Sequence, residues 1–286
     1  MPLLPEISDF KTYESLFKQD EIWLPVMQQL CRQHGLPASE LQRCTLGSAI
    51  VYRCAGRILK LFAPLWPEEF QRERLGLASC QALSIPVPRL FESGQYEGWD
   101  YLIIQALPGV SLGEVWKTLP QTQQYSLMQQ AGEIMRALHR LPLPQDEALG
   151  AGWPAFMKAQ SEGFVQNQTA RGLDARWTAE LNRWLQTHLS RLPEMPPVLL
   201  HSDLTGDHFL AQEVQGQWRI TGLIDFGDLM QGHPLYEFGA PLIVYTRGRQ
   251  DLRHRLLTAY GLEPTPELGE ALFTALLLHR FLNMPA

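Results

Sequence analysis

The chain has 286 residues, with 24 Lys and Arg against 30 Asp and Glu, for a formal net charge of −6. Forty-five per cent hydrophobic, 19% charged and 10% aromatic residues are the proportions of a folded globular protein and exclude disordered, collagen-like and coiled-coil chains. A shortage of cations excludes a general nucleic-acid surface, and no apolar run is long enough for a membrane-spanning helix.

In chain order, Asp20 opens a helix whose apolar positions Ile22, Val26, Met27, Leu30 and Cys31 share one face, with Gly35 just past its end. The period then changes. LQRCTLG, AIVYRC and RILKLF read as strands separated by tight turns at Gly47-Ser48 and Ala55-Gly56. Pro67, Glu68 and Glu69 suit the positive end of a helix running to about Gln81. The prolines of IPVP (85–88) stop it, and LFESGQ and DYLIIQ follow as two more strands. Beyond the turn-rich ALPGVSL (106–112), Leu127, Met128, Ala131, Ile134, Met135, Leu138 and Leu141 line one face of a helix. Two further helices are expected over about 153–167 and 174–190. A β island follows, built from PVLLHSD, HFLAQEV and QWRITGLIDFGD, and three helices finish the chain, the last from Pro266 to Leu282. Five strands followed by a helical unit imply two lobes joined near residues 105–110.

The acidity is uneven. Residues 1–140 carry 14 acids and 13 Lys and Arg, and residues 141–286 carry 16 and 11, so the halves are net −1 and −5. An acidic second half suits a cationic substrate or a metal, and equally a solvated surface. Cys31, Cys44, Cys54 and Cys80 form no CxxC pair, and the N-terminus MPLLPEISDFK lacks the basic end and apolar run of a signal peptide; both favour a cytoplasmic location.

Polar chemistry concentrates in two strings. In HSDLTGDHFL (201–210) an apolar run delivers His201, Asp203, Asp207 and His208 to a strand end; in LIDFGD (223–228) a second strand delivers Asp225 and Asp228 around Gly227. A hairpin from HFLAQEV to QWRITGLID would bring Asp203, His208 and Asp225 together, enough for one general base and two metal ligands.

The order of these strings, the 22 residues from Asp203 to Asp225, and a Lys and Glu upstream resemble the aminoglycoside phosphotransferase and choline kinase family, over roughly residues 40–245. The resemblance implies an α+β, protein-kinase-like fold of two lobes: a small five-stranded antiparallel N-lobe (residues 1–105, with N-terminal helices), a hinge at 106–110, and a larger, mostly helical C-lobe (111–286). It implies an ATP-dependent phosphotransferase that moves the γ-phosphate to a hydroxyl of a small molecule, with ATP or another purine nucleoside triphosphate and Mg²⁺ or Mn²⁺ as cofactors. Asp203 takes the place of the base that orients the acceptor hydroxyl and accepts its proton. Asp225 matches the metal-binding aspartate, Lys60 the lysine that pairs with the phosphates, and Glu73 the helix glutamate that holds that lysine, with Glu69 one turn earlier as the fallback. Gly47 and Ser48 fall in the nucleotide-covering turn, and Gln105 to Leu107 at the hinge, where backbone groups would bond the adenine edge. His201, Asp207 and Asp228 support the loops.

The sequence departs from the family pattern where His208 stands for the usual Asn, the second metal ligand. Imidazole is a poor Mg²⁺ ligand and accepts Mn²⁺ more readily, so the expectation is a shifted metal preference, a site carried by Asp225 with Asp207 or Asp228, or weakened catalysis. GHPLYEFG (232–239) has His233 and Glu237 at two positions where related sequences carry acids. Two alternative functions use the same residues: a catalytically weak nucleotide-binding pseudokinase, and a metal-dependent hydrolase with His201, Asp203, Asp207, His208 and Asp225 as ligands. The expected partner is a small hydroxylated acceptor, aminoglycoside-like or another metabolite, with no nucleic acid and no membrane. Glu162, Asp174, Glu180, Glu237, Asp251, Glu263, Glu267 and Glu270 are the acids that would suit a cationic one.

Overall fold

Alternation along the strands decides how the first lobe is layered. A computed structural model describes residues 3–45, 47, 49–150 and 152–284. Helix α1 (Phe10–Phe17), which apolar spacing does not announce, is capped by Asp9, whose carboxylate accepts from Thr12 N–H at 2.8 Å. Helix α2 (Asp20–Gln33) follows as the sequence implies. Then come β1 (Gln42–Cys44), β2 (Ile50–Cys54), β3 (Arg57–Phe62), α3 (Pro67–Ser79), β4 (Leu90–Tyr96) and β5 (Trp99–Gln105). The strands form one antiparallel sheet in the order β1-β2-β3-β5-β4. Its two tight hairpins turn at Ala55-Gly56 and Glu97-Gly98, all four residues at positive φ, the twist that a two-residue hairpin requires.

Leu59 and Leu61 of β3, with Tyr101 and Ile103 of β5, pack against Trp23, Met27 and Leu30 of α2. The intervening residues Ile58, Phe62, Leu102 and Ile104 point to the other face and join the main core. Strand parity puts Lys60 on that second face, toward α3 and the second lobe.

The second lobe holds β6 (Val110–Ser111), α4 (Leu112–Trp116), α5 (Gln121–Leu138), α6 (Trp153–Ala170), α7 (Ala175–His188), β7 (Val198–Leu200), β8 (Phe209–Val214), β9 (Gln217–Leu223) and β10 (Met230–Gly232). Short turns of different helical pitch cover Pro234–Phe238, α8 (Gly239–Pro241) and Leu242–Thr246, before α9 (Gln250–Tyr260) and α10 (Pro266–Leu277).

Three expectations change here. The single β island is two sheets, β10-β7 and β6-β8-β9, because β10 was too short to show a period and β6 lay in a segment read as turn. The first of the three closing helices is broken into short turns around Gly239 and Pro241, which lower helix stability. The last helix ends at Leu277, not Leu282, because the chain turns back where side chains of α6 take up its carbonyls: Gln168 Nε2 and Arg171 Nη1 both donate to Leu282 O. One hydrophobic core runs through both lobes, from Phe62, Phe70 and Leu102 to Phe209, Leu223 and Phe226. Among the described residues no helix is long and apolar enough to cross a membrane.

Candidate active site

The buried strand β7 ends at His201, and the loop beyond it is fastened from below. Glu237, 1% exposed, accepts from the backbone N–H groups of His201 and Ser202 at 2.7 and 2.8 Å, and His139 Nε2 lies 3.4 Å away. Ser202 sits at φ +64, a conformation that a non-glycine residue keeps only when its surroundings enforce it. Its hydroxyl donates to Asp228 O at 2.5 Å. His201 is fully buried and its Nε2–H donates to Ile224 O at 3.0 Å, so the loop carrying Asp203 is tied to the strand end carrying Asp225.

The β8–β9 hairpin pairs Phe209 with Leu223 and so sets His208 beside Asp225. His208 Nδ1 donates to Asp203 O at 2.5 Å, and its Nε2 is 3.6 Å from Asp225 Oδ2. A carbonyl can only accept, so Nδ1 carries a proton, and Nε2 is the ring nitrogen turned toward Asp225. From the first lobe, Lys60 Nζ reaches Glu73 Oε1 and Asp225 Oδ1, each at 2.9 Å. Glu73 is the buried partner; Glu69, one turn earlier on α3, makes no such pair. Gly76 brings α3 against the Asp225 loop: a Cβ there would lie 2.3 Å from Phe226 Cβ. Asp225 is itself at φ +69, a second strained residue at the same place.

The charges shape one another. Burial works against the Lys60 ammonium, but Asp225 and Glu73 outweigh it and its pKa rises. Desolvation also opposes ionisation of Asp225, yet Lys60 and His208 hold its carboxyl well below the usual range. Glu73 is pushed up by burial against the pull of Lys60. Burial raises the Asp203 carboxyl to about 6; His208 pulls it down, Asp228 and Asp225 push it up, and Arg280 pulls it down again. A carboxyl near neutrality is suited to take and release a proton. His201 is lowered by burial and by His208, consistent with its carrying hydrogen bonds as a neutral ring.

Between the lobes lies a cleft of about 340 Å³. Val51, Ile58, Ile104, Leu107, Leu210 and Ile224 supply apolar lining, and Arg53, Lys60, Asp207, His208 and Asp225 supply its charged and polar groups. Gly47 and Gln105 also line it; Ser48 lies outside the described residues. The hinge differs from expectation in detail. The N–H of Gln105 is spent on Arg89 O at 2.8 Å and that of Ala106 on Gly56 O at 3.0 Å, because β5 continues its pairing through both. Among the described residues, the N–H of Leu107 has no such partner, and Leu107 lines the cleft. Asp207 accepts from Ser111 Oγ at 3.1 Å, and Asp228 Oδ1 lies 3.2 Å from Arg280 Nη2.

Among the described residues no three His, Cys, Asp or Glu side chains form a ready metal cage. Asp225 and His208 offer two donors on one side of the cleft, which fits a cation that takes its remaining ligands from phosphate oxygens and water.

Acids expected to attract a cationic acceptor are mostly engaged elsewhere. Glu237 is buried under the Asp203 loop, Asp251 is held by Arg249 and Tyr125 at 2.6 and 2.7 Å, and Asp174 caps α7 through Arg176 N–H. Glu162 and Glu180 pair along their own helices with Lys158 and Arg176. The sequence reading missed Arg280, whose Nη2 donates to Ser202 Oγ and Asp228 O, both at 2.6 Å; nothing in a lone arginine near the last helix signals a contact 78 residues away. Glu237 had a signal, since GHPLYEFG was singled out, but not for the role it plays.

Comparison with known proteins agrees with this geometry. The phosphotransferase enzyme family profile matches residues 50–272. An aminoglycoside 3'-phosphotransferase of Streptomyces fradiae is 33% identical over 153 residues, 51% of this chain and 53% of that enzyme; the chain thus spans about half the length of that relative. One from Streptomyces ribosidificus is 28% identical over 193 residues, 63% of this chain and 70% of that enzyme. Among solved structures, the GDP complex of wild-type aminoglycoside 2'-phosphotransferase-IIIa superposes with a TM-score of 0.72 at 19% identity, covering 89% of this chain and 87% of that one. The ADP and streptomycin complex of APH(3'')-Id from Streptomyces rimosus gives 0.67 at 16%, covering 89% and 97%.

Proposed function

The chain belongs to the phosphotransferase enzyme family, and from that footing we propose that it transfers the γ-phosphoryl group of ATP, or another purine nucleoside triphosphate, to a hydroxyl of a small molecule. The observation that carries this reading is a single cleft that joins apolar lining and the free N–H of Leu107 to the cluster of Lys60, Asp225 and His208. A flat base suits the first and a phosphate chain the second.

In this reading Lys60, held by Glu73, pairs with the phosphates. Asp225 and Nε2 of His208 would hold a divalent cation, which would neutralise charge on the triphosphate. Asp203 orients the acceptor hydroxyl and takes its proton as the oxygen bonds to the γ-phosphorus and the bond to the β-phosphate oxygen breaks, releasing the nucleoside diphosphate. Aminoglycosides are the first acceptors to consider, because the two Streptomyces relatives described above are aminoglycoside 3'-phosphotransferases. Engagement of the helix acids leaves neutral hydroxylated metabolites equally suited.

The test is ADP release from ATP across a panel of aminoglycosides, amino alcohols and sugars. Stimulation by an acceptor is expected, with Asp203→Asn lowering turnover by about 10² to 10⁴ while nucleotide binding holds. Because the base acts ionised and its carboxyl is raised to about 6, the rate should fall as pH drops through that value. Phosphate release indifferent to every acceptor would favour the hydrolase; nucleotide binding without turnover would favour the pseudokinase.

A further inference from the structure

We propose that Arg280 is a positioning residue for this reaction: its guanidinium pins the loop carrying Asp203 to the loop following Asp225, so that base and metal-side carboxylate keep one mutual geometry. The proposal rests on the phosphoryl-transfer reading above. A single nitrogen, Nη2, donates to Ser202 Oγ and Asp228 O, both at 2.6 Å, and lies 3.2 Å from Asp228 Oδ1. Ser202 immediately precedes Asp203 and is held at φ +64; Asp228 is three residues past Asp225. Ser202 Oγ also donates to Asp228 O, so the arginine closes a three-membered tie whose other two members belong to the two loops.

The guanidinium projects from a rigid base. The turn after α10 is fixed by Arg280 N–H to Tyr236 Oη at 3.1 Å and by Arg171 Nη2 to Arg280 O at 2.9 Å. His279 stacks on Tyr236 with ring centroids 4.6 Å apart. Holding Arg280 here works against the fold. Its Nε is buried without a hydrogen-bond partner among the described residues, and the pKa of Arg72 is lowered by burial and then by Arg280, so two guanidiniums repel. An apolar side chain would satisfy packing without either penalty. What the arginine adds is the bond between the loops.

Four proteins test this: Arg280→Ala, Arg280→Lys, Ser202→Ala and the Arg280→Ala/Ser202→Ala double variant. Amide hydrogen exchange is read on the nucleotide-free proteins, and turnover as ADP release with water or the best acceptor. In Arg280→Ala, exchange should quicken together in 201–204 and 225–229. Turnover should fall about 10- to 100-fold, as expected for a displacement of reacting groups by about 1 Å, with nucleotide affinity within about twofold of wild type. Because all three contacts come from one nitrogen, the ammonium of Arg280→Lys should recover most of the rate. The double variant should lose no more than the worse single one. Unchanged exchange in either loop, additive losses, or nucleotide affinity falling in parallel with rate would overturn the positioning role. A wild type inactive toward every acceptor and water is a different failure, that of the proposed reaction, and the exchange data, which need no acceptor, keep the two apart.

Discussion

His208 is where one side chain most changes the chemistry on offer. Its tautomer is set by the Asp203 carbonyl, 2.5 Å from Nδ1, which leaves Nε2 as a nitrogen donor beside the Asp225 carboxylate. Mg²⁺ demands oxygen ligands and loses water reluctantly, whereas Mn²⁺ accepts imidazole. Nucleotide-dependent thermal stabilisation should therefore be larger with Mn²⁺ than with Mg²⁺ at equal concentration, and His208→Asn should move the preference back toward Mg²⁺. Identical preferences in the two proteins would mean that Nε2 does not bind the metal.

At the scale of elements, the contact between α3 and the Asp225 loop is the one with no slack. Gly76→Ala would place a methyl group 2.3 Å from Phe226 Cβ, an atom close to the backbone that cannot swing aside. The helix must shift, taking Glu73 away from Lys60. Overpacking of this kind costs about 1–3 kcal/mol, so urea unfolding should register that loss together with weakened nucleotide binding. Gly269→Ala, on α10, meets nothing within 4 Å and should gain up to about 1 kcal/mol from helix propensity. A Gly76→Ala protein as stable as wild type would show that this contact is soft. The elements themselves were unevenly legible in the sequence. Strands β2, β3 and β5 could be read because each is a short run of β-prone residues bounded by turn residues. The same holds for the hairpin that brings His208 to Asp225. Strands β6 and β10, of two and three residues, hold no period to read; only their partners β8 and β7 define them. Gln105 and Leu107 both line the cleft, but which hinge N–H stays free depends on how far β5 pairing runs, a tertiary fact. Glu237 and Arg280 act across 35 and 78 residues, beyond any local signal.

For the whole molecule, the decisive contact is the one between lobes. Lys60 belongs to the first and Asp225 to the second, 165 residues apart. A ligand that bridges them adds stability by mass action, about 2.7 kcal/mol at a hundredfold excess over Kd. ATP with metal should raise the melting temperature of the wild type, and Lys60→Ala should remove most of that rise, whereas Lys117→Ala, at the exposed end of α4, should leave it intact. Equal responses of the two variants would detach Lys60 from nucleotide binding.

The Lys60–Asp225 bond has a consequence for the order of events in the cleft. Each charge already has the other as its counter-ion, so an arriving ligand does not find a vacant positive or negative socket; it has to perform an exchange. Metal alone would compete with Lys60 for the Asp225 carboxylate and leave the ammonium to lean on Glu73. Triphosphate alone satisfies Lys60 but sets its own negative charge beside a carboxylate stripped of its cation. A metal–nucleotide complex makes both substitutions at once, trading one neutral pairing for two. Under the proposed reaction the internal ion pair therefore acts as a filter for the complex over its separate parts, with no moving element required.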